Sequence, residues 1–372
     1  MAVITDVEAI PVEVGIKPLE EGGVAPYVSN HDAIDSRNRM LVRVETDEGT
    51  VGWGEFLVTM ESAEATKAVV DSVVAPELLG RETTEIRAFV ESFYFPYTTV
   101  SPFLGGVEMA LWDLLGKELG ASLSTLLGGA MCEEIPIAYC LGILDPEESA
   151  TYAEAAHERG FEVLKTKAGH DWRVDVERLA AMYDAVDGEM EFRLDPNQGW
   201  SPEETIRAVA ALEDAGIYLQ FLEQPQRVAT FGTYEQLRSR IQTPLAVNED
   251  TYYRFNLFHL LAADAVDVAA VDIVPGGGIL RTRELAAMAS HADVSVTHHN
   301  GFDLGIKSAA VLHTIAATPA IDLAPDMVYY TWEEFLLEEP LTVADGSMTV
   351  PDGPGLGISV DESQVERLRT DQ

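Results

Sequence analysis

The chain has 372 residues, 47% of them apolar, which is enough to bury a large core and more than one ordinary small domain needs. Asp and Glu outnumber Lys and Arg by 63 to 24, a net charge of −39, and such a field disfavours nucleic acid and anionic membranes as partners. No apolar run reaches membrane-spanning length, and the opening MAVITDVEAI lacks a basic stretch followed by an apolar one, so a soluble, cytoplasmic protein is expected.

The acids are spread through amphipathic segments such as DPEESATYAEAAHERG and SPEETIRAVAALEDAG rather than gathered in a tail. That pattern predicts a solvated acidic surface of halophilic type, on which salt screens self-repulsion. The same field repels an anionic substrate, so any acid-binding site must concentrate cations locally. Cys132 and Cys140 show no CxxC spacing and read as reduced, small apolar residues.

Residues 1–60 read as antiparallel strands. ITDVEAIPVEV alternates, and MLVRVETDEGTVGWGE is a strand, a DEG turn and a second strand. Between them, KPLEEGGVAPYVSNHDAIDSRN is polar and aperiodic, long for a plain connector, which predicts a functional loop or lid. Residues 61–130 read as mostly helical. In GGVEMALWDLLGKELG, Val107, Ala110, Leu111, Leu114 and Leu115 form one apolar stripe, and LLGG stops the helix.

From about residue 135, short apolar runs alternate with amphipathic helices: IPIAYC, EVLKTK, MEFRLD, YLQFLE, PLAVNE, VAAVDIV, VSVTH and AIDL. Eight strand candidates in roughly 190 residues predict a parallel barrel with helices outside it. The tail LTVADGSMTVPDGPGLGISVDE reads as a hairpin that returns to the first domain.

Polar residues follow these runs in order: Lys165 and Lys167, Asp195 and Asn197, Glu223, Asn248 and Glu249, Asp272, then His298 and His299. Successive groups are 23 to 30 residues apart, one βα unit each, so a barrel brings them to one mouth. Asp195, Glu223 and Glu249 would repel one another without a cation, and three carboxylates favour Mg²⁺ over Zn²⁺. Lys165 and Lys167 lie two apart and point to one side. Neighbouring ammonium groups and a nearby metal favour the neutral amine, which suits a general base. Asp272 and His299 end neighbouring strands, so the carboxylate can fix the imidazole tautomer. His298 competes for that role, although adjacent strand residues face opposite sides.

At these residues the sequence resembles the enolase superfamily, in its mandelate racemase and muconate lactonizing enzyme branch, over nearly its whole length. TDEGTVGWGE, ALWDLLGK with LLGG, LKTKAG, LDPNQGW, FLEQP, VPGGGI and PDGPGLGI carry the similarity. The resemblance implies an α/β fold: a modified TIM barrel, (β/α)7β, at 131–330, an α+β capping domain at 1–130, and a segment at 331–372 returning to it. It implies Mg²⁺ on Asp195, Glu223 and Glu249, with Asn248 the rival third ligand, and proton abstraction alpha to a carboxylate through an enediolate. Lys167 matches the base and Lys165 its partner.

Two departures matter. The strand-six position where muconate-type members carry a second lysine holds Asp272, which favours the Asp–His pair of mandelate racemase-like and sugar-acid dehydratase groups. The fifth-strand pattern is mixed at Asn248–Glu249. Asn197 matches a substrate-contacting Asn of glucarate dehydratases, Asn248 and His298 are further candidates for substrate binding, and Asp322 and Asp326 compete as the strand-eight acid. The expected activity is dehydration of a sugar acid to a 2-keto-3-deoxy acid. Racemisation or epimerisation comes second, cycloisomerisation third, and a non-catalytic binding relative is the reading from another class. Specificity is expected in loops Gly22–Asn30 and Phe56–Ser62, the partner is a small carboxylate, and a homo-oligomer is expected.

Overall fold

The computed structural model describes residues 1–93, 100–253 and 255–371. The alternating N-terminal segment forms strand Ile4–Gly15, which pairs antiparallel with Ser36–Thr46; that strand pairs on its other edge with Val51–Leu57. The register sets Arg37 opposite Val14 and Arg39 opposite Val12. The intervening segment, expected as a loop or lid, is an ordered wall. It holds a short turn at Leu19–Glu21 and a small hairpin of Tyr27–Val28 with Ala33–Ile34. The amide of Ile143 donates to the Val28 carbonyl at 2.8 Å, which fastens this wall to the barrel.

Helix Ser101–Leu119 lies between the sheet and the barrel. The sequence shows one apolar stripe, but burial extends much further round the helix and includes Glu108 and Asp113, because protein covers it on two sides. Glycines permit that approach. A methyl on Gly54 would run into the Gly106 carbonyl, and one on Gly105 into the Ile273 carbonyl of the barrel.

Seven parallel strands follow in sequence order: Tyr139–Leu141, Val163–Lys167, Glu191–Asp195, Phe221–Glu223, Leu245–Val247, Val268–Val271 and Ser295–His298. They curl until the segment ending at Asp326 closes the ring. The Asp326 amide donates to the His298 carbonyl at 3.1 Å, and the Ala138 amide donates to the Pro325 carbonyl at 2.9 Å. The fold is a TIM-barrel-like (β/α)7β domain with a capping domain. The barrel's first three helices, Pro146–Glu158, Trp172–Ala185 and Pro202–Asp214, start at side-chain caps. Before Pro202–Asp214, the Ser201 side chain accepts the Glu204 amide and the Glu204 side chain accepts from Ser201, a capping box. Downstream, Val343–Ala344 and Ser347–Thr349 form a hairpin paired to Glu134–Pro136, while Arg369 bridges to Val12.

Candidate active site

The barrel strands deliver their last residues to one mouth, beneath a cavity of about 470 Å³ roofed by the capping domain. Lys165 lies at its floor. Its Nζ donates to Glu223 Oε1 and Asp326 Oδ2, both at 2.7 Å, and lies 3.2 Å from Asp195 Oδ2. Burial pulls this ammonium down, but Asp326, Glu223 and Asp195 outweigh it and hold Lys165 well above the usual lysine range. Three carboxylates surround it, and they favour the charged form. Lys167, more exposed, donates to Asp195 Oδ2 at 2.5 Å and lines the cavity. Against its burial, Lys167 and then Lys165 hold Asp195 well below the usual carboxylate range.

Across the mouth, His299 Nδ1 is 3.1 Å from Asp272 Oδ2 and 3.4 Å from the Tyr252 hydroxyl. Asp272 also accepts from the Val274 amide at 2.9 Å and from Lys307 Nζ at 3.0 Å. Despite burial, Lys307 and then His299 keep Asp272 ionised. His299 lines the cavity. His298 is fully buried behind it, its Nε2 accepts the Ile273 amide at 3.2 Å, and burial pushes it down to about 4. The strand thus turns His299 to the mouth and His298 away from it, so His298 is not part of the cavity wall.

Asn197 lines the cavity with a positive φ, and its amide donates to Asp195 Oδ1 at 3.0 Å. Asn248 is committed elsewhere. Its Nδ2 donates to the Ala270 carbonyl at 2.9 Å, its Oδ1 accepts from the Tyr252 hydroxyl at 2.8 Å, and it is not among the lining residues. Of the two strand-eight acids, Asp326 is at the mouth, held by Lys165 and by Arg193 at 3.2 Å, whereas Asp322 accepts the Val296 amide and the Ser295 hydroxyl. The sequence reading missed Lys307, Glu55, Arg37 and Arg39. A lysine inside the apolar helix IKSAAVLHTIA was a signal for the first, and two arginines at strand spacing in SRNRMLVRV for the last pair.

The chemistry of the floor fits a divalent ion. Glu223 Oε2 and Glu249 Oε2 are buried with no hydrogen-bond partner among the described residues, while Glu249 Oε1 accepts from Gln198 at 3.0 Å. Burial, against the pull of Lys165, raises Glu223 to about 7, and burial with Asp195 raises Glu249. Crowded carboxylates with free oxygens and raised pKa values suit a hard, oxygen-preferring cation, Mg²⁺. Among the described residues, Glu223, His299 and Asp326 bring ligand atoms all within 4.8 Å of one another. Asp326 is also engaged by Lys165 and Arg193, His299 Nδ1 by Asp272, and Asp195 by both lysines and the Asn197 amide, whereas Glu223 and Glu249 each keep one oxygen without a partner among the described residues.

The chain is similar to known proteins over nearly its whole length. Residues 148–364 match the family model described as enolase C-terminal domain-like, and residues 16–128 match that of the mandelate racemase / muconate lactonizing enzyme N-terminal domain. A D-galactarolactone cycloisomerase of Agrobacterium fabrum is 30% identical over 92% of this chain and 94% of its own length. Muconate cycloisomerase 1-1 of Acinetobacter lwoffii is 31% identical over 94% and 93%. An isomerase from Streptomyces coelicolor superposes with a TM-score of 0.85 at 31% identity, covering 99% of this chain and 97% of its own. Relatives also include an epimerase, a racemase and a dehydratase.

Proposed function

The chain belongs to the enolase superfamily, in its mandelate racemase and muconate lactonizing enzyme branch, and from that membership we propose that it dehydrates a small hydroxylated acid by removing the proton alpha to its carboxylate. One observation carries this reading: Lys167 and His299 line the same cavity above the carboxylate floor, with Asp272 on the imidazole.

Asp195, Glu223 and Glu249 would hold Mg²⁺, whose charge opposes the negative charge that grows on the substrate carboxylate. Lys167 takes the α-proton; the C–H pair moves into the carboxylate and gives an enediolate. Lys165 supports the opposing charge through Asp195, Glu223 and Asp326. When the enediolate collapses, its electrons form the Cα–Cβ double bond and the Cβ–O bond breaks. His299, with Nδ1 held by Asp272, gives a proton to the leaving hydroxyl, which departs as water. The enol then tautomerises to a 2-keto-3-deoxy acid.

A second reading, isomerisation by returning the proton to the other face, is favoured by the cycloisomerases, epimerase and racemase among the relatives. The acidic balance supports adaptation to high salt, and free Cys132 and Cys140 suit a reducing, cytoplasmic setting.

The test is NMR in D₂O with Mg²⁺ and a panel of sugar acids, following α-proton loss and 2-keto acid together. Wild type should do both. Lys167→Ala should lose exchange, and His299→Asn should lose elimination, each by ~10²-fold or more. Exchange with no keto acid, across the whole panel, would replace dehydration with isomerisation; full activity of both variants would sink the assignment of bases.

A further inference from the structure

The cavity has two chemically different walls. The barrel supplies Lys167 and His299; the capping strand Ser36–Thr46 supplies Arg37 and Arg39, two residues apart and so on one face. Each guanidinium has only a long ion pair, Arg37 to Asp32 and Arg39 to Glu55. Arg39 is 4% exposed, its Nη1 donates to the Asn38 carbonyl, and its Nε has no hydrogen-bond partner among the described residues. The carboxylate beside it, Glu55, is 3.9 Å from Nε and already accepts the Leu304 amide at 2.6 Å and the Lys307 amide at 2.9 Å. Arg37 lies over the Phe302 ring and is 3.7 Å from the exposed carboxylate of Asp32. Burial and then Arg39 pull Arg37 below its ordinary value, as expected when two cations share one wall.

A third group converges there. Asn300 is 8% exposed and lines the cavity, and its side chain also reaches the buried His298 ring. The distance to the chemistry is short. A methyl built on Gly301 would stand 3.7 Å from His299 Cε1 and 4.0 Å from Arg39 Nη2, so the guanidinium and the imidazole are separated by little more than one small group. Buried donors without acceptors are costly, and a planar guanidinium pair is best satisfied by a planar anion held through two parallel bonds.

We propose that Arg37 and Arg39, with the Asn300 amide, bind a second carboxylate at the far end of the substrate, so that this enzyme acts on diacids. The inference rests on the carboxylate-substrate reading above and narrows it. The cavity, about 470 Å³, accommodates a chain of roughly four to six carbons. The cationic wall also answers the problem set by a net charge of −39: it gives an approaching dianion a local well in a repulsive field.

The experiment is binding calorimetry on the Mg²⁺-loaded protein with unreactive probes. Succinate, glutarate and adipate are each compared with their monoamides, which match them in size but lack the distal charge. Wild type should bind the best diacid at least ~10-fold tighter than its monoamide. Arg37→Gln and Arg39→Gln should each bring that ratio to roughly one to three. Arg37, at the more open end of the wall, keeps the test valid if the buried Arg39 variant fails to fold. A wild-type ratio near one, a ratio retained in both variants, or no binding of any diacid overturns the proposal. Binding needs no turnover, so the two readings fail separately. A diacid preference without proton exchange sinks the reaction, and exchange without the preference sinks the arginine site.

Discussion

Glu108 shows how one buried carboxyl can tie stability to pH. Its Oε1 accepts from Trp112 Nε1 at 2.9 Å and from the Leu280 amide at 3.0 Å, while Oε2 has no hydrogen-bond partner among the described residues. Burial outweighs those bonds and pushes the group from 4.5 up to about 7. The fold therefore favours the protonated form. Glu108 contributes most below its unfolded value of 4.5, and that contribution is lost as pH rises through about 7. Glu108→Gln is neutral throughout, so its stability relative to wild type should improve by about 2 kcal/mol between roughly pH 5 and 8. Urea unfolding at several pH values measures it; a difference that stays flat with pH would remove the argument. The same scale separates what could be read from sequence and what could not. The placement of Lys165, Lys167, Asp195, Glu223 and His299 at one mouth was legible because each lies at or near the C-terminal end of a strand, and the βα repeat brings strand ends together. Lys307 was not, since its partner Asp272 lies 35 residues away and reaches it only through helix packing.

At the scale of elements, the helix Ser101–Leu119 decides how the capping sheet meets the barrel. Its apolar stripe was visible in the sequence, but the two-sided burial was not, because the second contact is to the Ile273–Val274 backbone in another domain. Gly105 meets that backbone with no room for a methyl. Gly105→Ala should cost about 1–3 kcal/mol through overpacking. It should also lower diacid affinity, because the roof that carries Arg37 and Arg39 must shift. A thermal melt together with the calorimetry above checks both halves, and a variant with unchanged midpoint and affinity would show that the helix yields freely. The wall at residues 17–38 makes a similar point. Its length predicted a functional segment, whereas its order comes from contacts such as Ile143 to Val28, which no local pattern announces.

For the whole molecule, charge and topology dominate. Acids on the outer helices, such as Glu147, Glu148, Glu154 and Glu158, are exposed, so their repulsion is open to screening. The screening length falls from about 10 Å at 0.1 M salt to about 3 Å at 1 M. The melting midpoint should therefore climb as KCl goes from dilute to molar, and a midpoint that stays level or drops would argue against a salt-adapted surface. The barrel was legible at this scale from its repeated texture, but the closure of the capping sheet was not. Arg369 bridges to Val12, and the Thr370 amide donates to the Pro11 carbonyl at 2.9 Å. A contact cannot form before both partners have been synthesised. On the ribosome, then, the strand that carries Val12 waits for a partner made after every strand of the barrel. The catalytic half of the cavity can assemble before the seam of its roof is sewn.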